Sequence, residues 1–568
     1  MKHFKEIIQW CCEPKRLFVL YILALALPNA VLFFTEQQLP LLARVCNVTL
    51  PVAVYWLVMT LGRMPGKTIW ILFPFVFFAA FQLVLLYLFG QSIIAVDMFL
   101  NLVTTNSGEA MELLDNLLPA VIGVFVVYIP VLVLGGISWA RHRKLEVAFI
   151  RRQRKYAFAG IGVGVLLTVI SYATNRDYAV RVDMYPANVC YNLGLAVERA
   201  AETARYAETS KDFVFHARPS HGEEEREVYV LVVGETARAC NFGIYGYGRD
   251  TTPLLGKTEG LVVFTDVLTQ SNTTHKSVPM LLSAVSAEDY DSIYRQKGIV
   301  TAFKEAGFHT AFFSNQRPNH SFIDFFGMEA DDWQFIKEDA AEGANISDDE
   351  LLVLVEKELK AGHRKLFIVL HTYGSHFNYK ERYPEALSVF KPDSVTDAKY
   401  KNKEYLMNAY DNTIRYTDGF LATLIALLQQ TDASSAMLYT SDHGEDIFDD
   451  SRKLFLHSSP VPSYYQLHVP FLVWTSEEYR AANAGIHEAL VQNHQKPVAG
   501  NAVVFHTMLN LAGVQSPYRK DSLSVADRQY AVRPRYFLND HNLPKSLDKI
   551  GLKKKDIDRF RQRKLAFP

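Results

Sequence analysis

The chain has 568 residues, a formal net charge of −1 and a hydrophobic fraction of 49%. Binding to a nucleic acid backbone normally needs a clearly basic face, so the balanced charge excludes nucleic acid as an expected partner. The hydrophobic fraction is high for a soluble protein and is concentrated before residue 173, which predicts one part in lipid and another in water.

Five stretches of the N-terminal part are long and apolar enough to cross a hydrocarbon core, which takes roughly 20 helical residues. They cover residues 17–34, 45–62, 68–90, 118–140 and 156–173. We therefore predict a transmembrane domain of five helices over residues 1–173. The first stretch continues through Phe34 without a small-residue cleavage site, so we expect it to stay as an anchor and not to be removed as a signal peptide.

Basic residues at the ends of these stretches predict their orientation in the membrane. The segment 141–155, between the fourth and fifth stretches, contains seven Lys and Arg residues, whereas the segment between the third and fourth contains none. Lys and Arg near span ends stay preferentially on the cytoplasmic side. An odd number of spans then delivers everything after residue 173 to the extracytoplasmic side.

Residues 174–225 form a predicted connector. The stretch 192–208 carries small apolar residues at helical spacing, among them Leu193, Ala196 and Val197. A plain linking helix and a helix lying on the bilayer surface fit this pattern equally well.

Cysteine usage limits the metal sites that are possible further along the chain. Of the five cysteines, only Cys240 lies after residue 225, and no Cys-x-x-Cys motif occurs. The water-soluble part therefore cannot form an internal disulfide. Any metal ion there must be held by His, Asp, Glu or hydroxyl groups.

Residues 226–540 alternate short apolar strands with amphipathic helices. The predicted strands cover 228–234, 309–315, 365–371, 436–442 and 469–475. This pattern indicates an α/β domain whose mostly parallel sheet is covered by helices on both faces. In such sheets, ligands bind beyond the carboxyl ends of the strands.

Three of these strands run directly into carboxylate and imidazole side chains. Glu235 follows the first, the segment His371–His376 ends the third, and Asp442 and His443 end the fourth. Zinc takes about four N and O ligands when thiolates are absent. One Asp-His pair alone is usually a surface turn, so the prediction of a zinc site depends on the convergence of three strand ends.

A candidate nucleophile lies in the segment 271–279. Pro279 suits the first turn of a helix, which would put Thr274 just before a helix N-terminus, where developing negative charge is favoured. A nearby metal would lower the pKa of the Thr274 hydroxyl. The alternative is that Thr273 or Thr274 only caps the helix, and Thr273 is the next candidate nucleophile.

Together these residues resemble the phosphoethanolamine transferases of Gram-negative envelopes, a family in the alkaline phosphatase superfamily that includes the lipid A-modifying enzymes of polymyxin resistance. The resemblance extends over essentially the whole chain. Its markers are Gly234–Arg238, Asn241–Pro253, Thr274 with Ser277–Pro279, His371–His376 with Arg382–Pro384, Ser441–Glu445, Leu456–His457 and His468–Pro470.

The resemblance implies that four residues bind the catalytic zinc and that Thr274 is also the nucleophile. The implied ligands are Glu235, Thr274, Asp442 and His443. His376 and His457 would contact the transferred phosphate or a second zinc. His468 is a further candidate for the same role. The implied fold is five transmembrane helices followed by an alkaline-phosphatase-like domain.

The resemblance also implies the reaction. Thr274 would attack the phosphate of phosphatidylethanolamine, release diacylglycerol and carry a phosphoethanolamine group, which a phosphate or sugar hydroxyl of lipid A or a related glycolipid would accept. The expected protein is a monomer in the bacterial inner membrane, with its catalytic domain in the periplasm.

This sequence departs from the family pattern near the acceptor. Many lipid A enzymes of the family carry several disulfides and a Gly-Cys-Lys stretch, whereas this chain has Ser314–His320 there. Acceptor identity therefore stays open, with Arg317 as a candidate acceptor contact. The basic C-terminal tail, 541–568, fits either docking on anionic glycolipid or a solvated charged helix.

Other functions stay open as alternatives. They are phosphoglycerol transfer, phosphoethanolamine transfer to core or periplasmic glycan, and sulfate-ester hydrolysis. A sulfatase would carry a Cys/Ser-x-Pro-x-Arg motif, which is absent. A catalytically inactive membrane sensor would have lost a zinc ligand, whereas all four are present.

Overall fold

The structure is a computed structural model that describes residues 12–36, 39–89, 93–104, 107–222, 226–341, 344–395 and 398–567. It divides into two compact units, Met1–Leu102 with Leu113–Glu198 and Val103–Glu112 with Arg199–Pro568. Residues 90 and 225, which end two of the predicted segments, lie outside the described residues.

The N-terminal part is helical throughout its described elements. These are α1 Pro14–Thr35, α2 Leu41–Met59, α3 Pro65–Ile71, α4 Phe73–Phe89, α5 Val96–Thr104, α6 Ser107–Ala140, α7 Val147–Thr174, α8 Val180–Asp183 and α9 Ala187–Ala204.

Four helices in the described residues are long and apolar enough to cross a membrane: α1, α2, the Leu118–Ala140 part of α6, and α7. The predicted third span is instead the pair α3 and α4, which meets the same criterion only as one broken span bent by 65°. Pro74 explains the break, because proline has no N–H to bond the carbonyl four residues earlier and its ring clashes there. The part of the chain that the structure describes therefore has four candidate spans, or five if the bent pair crosses as one.

Small residues bring α2 and α7 into close contact. A side chain added at Gly164 would lie 2.9 Å from Leu50, and one added at Gly160 would lie 3.0 Å from Ala53. Close approach through small residues is the usual way in which apolar helices associate where no water drives them together.

The connector helix α9 begins five residues earlier than the stretch predicted for it. Asn188 and Asn192 are buried and both donate to the backbone oxygen of Ile94. Val189 and Ala196 pack in the core of the first unit. This part of α9 is therefore a packed helix of that unit.

The second unit contains a seven-stranded mixed sheet and smaller two-stranded pairs. Its strands are β1 Arg218–Pro219, β2 Glu227–Gly234, β3 Leu261–Val263, β4 Val267–Leu268, β5 His309–Ser314, β6 Asp332–Phe335, β7 Lys365–His371, β8 Ser434–Ser441, β9 Asp446–Ile447, β10 Phe455–Leu456, β11 Phe471–Thr475, β12 Val498–Ala499, β13 Val514–Gln515, β14 Tyr536–Leu538 and β15 Pro544–Ser546. Its helices are α10 Tyr206–Thr209, α11 Thr274–Leu281, α12 Ile299–Glu305, α13 Phe322–Gly327, α14 Asp349–Ala361, α15 Lys403–Gln429, α16 Tyr464–Leu467, α17 Glu477–Ala482, α18 Ala484–Asn493, α19 Gly500–Leu511 and α20 Lys554–Gln562.

The strand order in the large sheet is β3-β11-β8-β2-β7-β5-β6. The pairs β8-β2, β2-β7, β7-β5 and β5-β6 are parallel, whereas β11 is antiparallel to both β8 and β3. The predicted strand 469–475 therefore departs from the expected parallel arrangement. After β8 the chain makes no crossover helix but stays at the carboxyl edge of the sheet, so the next strand has to start from that edge and run backwards.

The sheet is buried on both faces, as its continuous apolar strands predict. Tyr229, Leu231 and Val233 of β2 pack in one hydrophobic core, and the alternating residues Val228 and Val230 pack in the other. Helices α12 and α19 contribute to the first core, and α14 and α15 contribute to the second. This packing fixes the strand ends that carry the polar residues.

The basic C-terminal segment also packs on the second unit. Phe560 of α20 is fully buried and contacts the ring of Tyr464. Asp556 is buried, pairs with Arg452 and accepts from the backbone N–H of Tyr464. The segment is thus part of the folded unit, with Lys554, Lys555, Arg561 and Lys564 exposed on its outside.

Candidate active site

The strands that carry the predicted site residues, β2, β7 and β8, end at the same height in the sheet. In the sheet register, Val233 is opposite His371 and Gly234 is opposite Ser441. Glu235 and Asp442 therefore leave the sheet side by side.

Thr274 is the first residue of α11, and Thr273 is its N-cap without a side-chain capping bond. Pro279 is therefore inside the helix and not in the first turn, which corrects the sequence-based placement. The proline costs one hydrogen bond within the helix. The buried, short α11 tolerates that loss through its packing.

The structure brings the side chains of Glu235, Thr274, Asp442 and His443 together. The hydroxyl oxygen of Thr274 lies 3.2 Å from Nε2 of His443 and 3.5 Å from Oε1 of Glu235. The same Nε2 lies 3.1 Å from Oδ2 of Asp442 and 3.8 Å from Oε1 of Glu235. Two carboxylates, one imidazole and one hydroxyl thus surround one point.

These distances fit a tetrahedral metal ion. Ligand bonds of about 2.0–2.1 Å put neighbouring donor atoms about 3.3 Å apart in a tetrahedron, and the four measured separations between donor atoms lie between 3.1 and 3.8 Å. Glu235 and His443 also form, with His457, a group whose donor atoms all lie within 4.8 Å of one another. The residues therefore fit a metal ion without rearrangement of the backbone.

Burial supports the same conclusion. Asp442 and His443 have no exposed surface, and Glu235 is 1% exposed. Burial raises the pKa of Asp442 to about 6 and holds the pKa of His443 well below its usual value, with nearby His457 lowering it further. A divalent cation reverses the cost of burying the carboxylates and binds the neutral imidazole.

Hydrogen bonds orient the free donor atoms toward this point. Oδ1 of Asp442 accepts from the backbone N–H groups of Thr236 and His443 at 3.0 and 2.7 Å, whereas buried Oδ2 has no hydrogen-bond donor among the described residues. Nδ1 of His443 donates to the carbonyl of Gly444 at 3.0 Å. In the neutral ring, Nε2 therefore carries the lone pair that a metal needs.

Glu235 is oriented by two side chains and by a close backbone approach. Oε1 accepts from the hydroxyl of Thr236 at 2.7 Å, and Oε2 accepts from the amide of Gln316 at 3.2 Å. Thr236 has a φ of 60°, a left-handed conformation that a threonine adopts at a cost. A Cβ added at Gly374 would lie 2.8 Å from the backbone oxygen of Glu235, so this position requires glycine.

A buried hydroxyl and amide network fixes α11 to the loop after β8. The hydroxyls of Ser277 and Thr269 each donate to the backbone oxygen of Asp442 at 2.6 Å. Asn501 donates to the Ser277 hydroxyl at 2.8 Å. Thr273 is buried, and its hydroxyl pairs with the hydroxyl of Ser271 at 3.1 Å. The geometry therefore favours Thr274 over Thr273 as the residue that faces the candidate metal position.

His457 and His376 lie beside the four residues. The ring centroids of His457 and His443 are 4.2 Å apart, and those of His457 and His376 are 6.1 Å apart. Nδ1 of His457 donates to Glu445 at 3.2 Å, and Glu445 is fully buried and also bonds the hydroxyl of Tyr379. Burial lowers the pKa of His376 to about 3, with His457 adding to the effect, so His376 is a neutral ring.

Two other predicted site residues, His468 and Arg317, have their polar groups bonded outside this cluster. His468 is 3% exposed, and its ring nitrogens bond the hydroxyl of Tyr464 and the carbonyl of Thr265 at 2.9 and 3.1 Å. The guanidinium of Arg317 bonds the carbonyls of Ala340 and Ala341. His468 is therefore a core histidine with both ring nitrogens hydrogen-bonded, and the guanidinium of Arg317 is bonded to a neighbouring loop.

Sequence reasoning missed Gln316 and the role of Glu445. An amide carries no charge, and nothing in the order of residues 314–320 indicates that position 316 rather than 317 reaches Glu235. Glu445 stands in the Ser441–Glu445 motif, but its contact with His457 depends on the return of the chain through β10. The ring of Tyr373 was also missed: it stacks on His376 and carries Lys337 and Arg382 over its faces.

Comparisons with known proteins identify the family of the chain. A family model described as Sulfatase matches residues 227–514, about half of the chain. The phosphoethanolamine transferase EptC of Escherichia coli O18:K1:H7 is 29% identical over 330 residues, covering 56% of each chain. The Kdo(2)-lipid A phosphoethanolamine 7''-transferase of Escherichia coli K12 is 28% identical over 403 residues, covering 68% of this chain and 67% of that one. The alignments thus span between about half and two thirds of these relatives.

Solved structures are similar over both units. The C-terminal periplasmic domain of Escherichia coli EptC, in complex with Zn, has a TM-score of 0.55 and 25% identity and covers 60% of this chain and 98% of that one. The integral membrane lipooligosaccharide phosphoethanolamine transferase A of Neisseria meningitidis shares the fold, with a TM-score of 0.66 and 22% identity over 90% of this chain and 97% of that one. The chain therefore belongs to the sulfatase family, and the relatives described above are phosphoethanolamine transferases.

Proposed function

We propose that the chain transfers phosphoethanolamine from phosphatidylethanolamine to an envelope glycolipid, with lipid A as the acceptor and Thr274 as the nucleophile. The observation that carries the proposal is the position of the Thr274 hydroxyl, within 3.5 Å of both His443 and Glu235 at the N-terminus of α11. The names of the relatives, which include a Kdo(2)-lipid A phosphoethanolamine transferase, support the transferred group and the acceptor.

Zinc is the metal that we propose for this site, held by Glu235, Thr274, Asp442 and His443. The nitrogen and oxygen donor set, the separations near 3.3 Å and the Zn complex of the EptC domain support this choice. When bound, zinc would lower the pKa of the Thr274 hydroxyl and offset negative charge on the phosphate oxygens. The chain's own residues supply orientation, proton transfer and exclusion of water.

In the first step, the Thr274 oxygen loses its proton, bonds to phosphorus and displaces the diacylglycerol oxygen. The N-terminus of α11 favours the negative charge that develops there. Because Nδ1–H of His457 is held by buried Glu445, its Nε2 can take up the Thr274 proton and pass that proton to the leaving oxygen. The products are diacylglycerol and a phosphoethanolamine group on Thr274.

In the second step, an acceptor oxygen bonds to the same phosphorus and Thr274 leaves as the hydroxyl. Neutral His376, whose Nδ1 donates to the carbonyl of Phe377, can accept a hydrogen bond at Nε2 from the acceptor or from the ethanolamine ammonium. Lys337 and Arg382, which both lie over the Tyr373 ring, place positive charge beside His376. This charge suits an acceptor with a phosphate group.

The apolar helices suit this chemistry, because a lipid donor and a lipid acceptor both have to be met at a membrane surface. We propose that the protein is a monomer of the bacterial inner membrane with its second unit in the periplasm. The basic segment 141–155, which would lie on the cytoplasmic side, supports this orientation.

The test is diacylglycerol release from fluorescent phosphatidylethanolamine by the full chain in detergent. Thr274→Ala should abolish release, and Thr274→Ser should keep part of it because a hydroxyl remains. Thr273→Val is the matched control, since it removes the neighbouring hydroxyl, and it should keep activity within a few fold. Full turnover by Thr274→Ala would refute the nucleophile assignment, and loss in Thr273→Val would transfer it to Thr273.

The acceptor needs its own test. Mass spectrometry of envelope glycolipids from cells with and without the protein should find a gain of one phosphoethanolamine on lipid A. A gain on core sugar would refute lipid A as the acceptor while retaining the transfer reaction. A gain of phosphoglycerol, or release of sulfate from a sulfate ester, would refute the proposed reaction.

A further inference from the structure

We propose that a cleft at the amino edge of the large sheet is a second binding site, which takes a neutral, polyhydroxylated ligand such as a short sugar chain. The cleft has a volume of about 620 Å³. Pockets that hold small ligands have volumes of about 300–1,000 Å³. The cleft lies within the second unit and is independent of the proposed transfer reaction.

Sheet and helix elements of the second unit meet around the cleft. Glu227 and Ser434 are the first residues of the neighbouring strands β2 and β8 and are opposite each other in the register. Asn483 lies between α17 and α18, and Gln515 is the last residue of β13. All four residues line the cleft. The sheet and the helices packed against it therefore fix the positions of these side chains.

Gly513 allows the segment after β1 to form one wall of the cleft. The N–H of Ser220 donates to the carbonyl of Gly513 at 2.8 Å. Gly513 has a φ of 59°, and a Cβ added there would lie 2.7 Å from Nδ1 of His221 and 2.8 Å from Oγ of Ser220. This position therefore requires glycine, and its small size brings Ser220 and His221 to the edge of the cleft.

Three side chains of the lining offer hydrogen-bonding groups that the protein itself does not use. The hydroxyl of Ser434 and the amides of Asn483 and Gln515 have no hydrogen-bond partner in the described part of the chain. Hydroxyl and amide groups both donate and accept hydrogen bonds. Sugar hydroxyls do the same, so several of them can bond this lining at once.

A buried carboxylate adds a strong acceptor to the cleft. The side chain of Glu227 is 5% exposed, and its Oε1 lies 2.8 Å from Nε2 of His221. Its Oε2 accepts from the hydroxyl of Tyr229 at 3.2 Å. Each carboxylate oxygen has two lone pairs, so both oxygens can accept a further hydrogen bond. Hydrogen bonds from ligand hydroxyls to this charged group would be among the stronger ones in the site.

The charges of the lining favour a neutral ligand over an anion. Both Nε and Nη2 of Arg519 lie 2.8 Å from the carboxylate of Asp521, and Nη1 donates to the carbonyl of Val514 at 3.0 Å. The positive charge of Arg519 is thus already paired. The buried carboxylate of Glu227 would repel a phosphate or carboxylate group in the cleft.

The cleft also has an apolar part, which suits the C–H faces of a sugar ring. This part consists of Ala482, Ile486 and Leu511. The cleft is separate from the candidate active site, because Glu227 and Gly234 are at opposite ends of β2 and seven strand steps put them about 23 Å apart. A sugar in the cleft would therefore be bound without being converted. A free glycan and the sugar part of a glycolipid are the two sources of such a ligand.

The experiment uses the full chain in a detergent without sugar groups. Saturation-transfer NMR should detect binding of at least one of glucose, galactose, mannose, N-acetylglucosamine, lactose and maltose, and inorganic phosphate should not displace it. The double variant Asn483→Ala/Gln515→Ala removes two free amides and should weaken binding of that sugar at least tenfold. Gln529→Ala removes an exposed amide outside the described lining of the cleft and should leave binding unchanged.

Absence of saturation transfer for all of these sugars, displacement by inorganic phosphate, or unchanged binding in the double variant would overturn the site. Both variants should release diacylglycerol at the wild-type rate, so a failure of this proposal is distinct from a failure of the transfer reaction. Purified lipopolysaccharide separates the two sources. Displacement of the bound sugar by lipopolysaccharide assigns the cleft to a glycolipid, and retention of the sugar assigns it to a free glycan; either result supports the site.

Discussion

Replacing Gly374 by alanine tests whether the loop after β7 positions Glu235. The backbone of Gly374 has a φ of 50°, and an added Cβ would lie 2.8 Å from the oxygen and 2.9 Å from the nitrogen of Glu235. The loop cannot swing away freely, because Asp348 accepts from the N–H groups of Tyr373 and Gly374 and the N–H of Ser375 donates to Glu235. The clash therefore has to be relieved by movement of Glu235 or by loss of these bonds.

The size of the effect follows from the geometry. Ordinary contact of a Cβ begins near 3.4 Å, so the two backbones have to separate by about 0.6 Å. A misplacement of about 1 Å at a catalytic group costs on the order of 100-fold in rate, so we expect Gly374→Ala to lower kcat about tenfold or more. The left-handed φ adds a stability cost of about 1 kcal/mol.

Gly307→Ala is the matched control for that strain. Gly307 has a φ of 84° and no atom within 4 Å of an added Cβ, and it precedes β5 at the other edge of the sheet. Gly307→Ala should lose about 2 °C in melting temperature and Gly374→Ala at least as much, but Gly307→Ala should release diacylglycerol at the wild-type rate. Activity of folded Gly374→Ala within twofold of wild type would refute this account of how Glu235 is held.

Three further substitutions test other contacts. Gln316→Ala should lower kcat about tenfold, because the amide that orients Glu235 is lost, and an unchanged kcat in steady-state assays would contradict that role. Glu445→Gln should lower kcat about 10- to 100-fold, because the carboxylate that fixes His457 loses its charge, and full kcat would mean that His457 needs no fixed proton. Asp556→Ala should cost about 3 kcal/mol of unfolding free energy, seen in denaturant titration, because a buried ion pair that fixes α20 is broken; a loss below 1 kcal/mol would mean that α20 is not part of the folded unit.

The convergence of Glu235, Asp442 and His443 could be predicted because strand register alone produces it. Apolar runs identified the strands, and neighbouring parallel strands have to end at one edge. The position of Thr274 was predicted near a helix start, but the helix already begins at Thr274 and Pro279 lies inside it. Proline preferences give the probable start of a helix, whereas tertiary contacts such as the Ser277 hydroxyl on Asp442 decide it.

The parts that could not be predicted depend on long-range geometry. Arg317 and Gln316 are neighbours, and only the fold decides that the amide reaches Glu235 while the guanidinium bonds loop carbonyls. His468 follows the same kind of pattern as His457, yet both of its ring nitrogens are satisfied inside the core. The sequence of β11 has the same apolar pattern as its parallel neighbours. Burial on both faces produces this pattern whether a strand is parallel or antiparallel.

The most direct test of the central claim is mass spectrometry of the protein after incubation with phosphatidylethanolamine in the absence of an acceptor. The account predicts a gain of one phosphoethanolamine on the peptide that contains Thr274, with fragment ions assigning it to that residue and no gain in Thr274→Ala. A modification on Thr273, or continued turnover of phosphatidylethanolamine with no modified peptide, would contradict it.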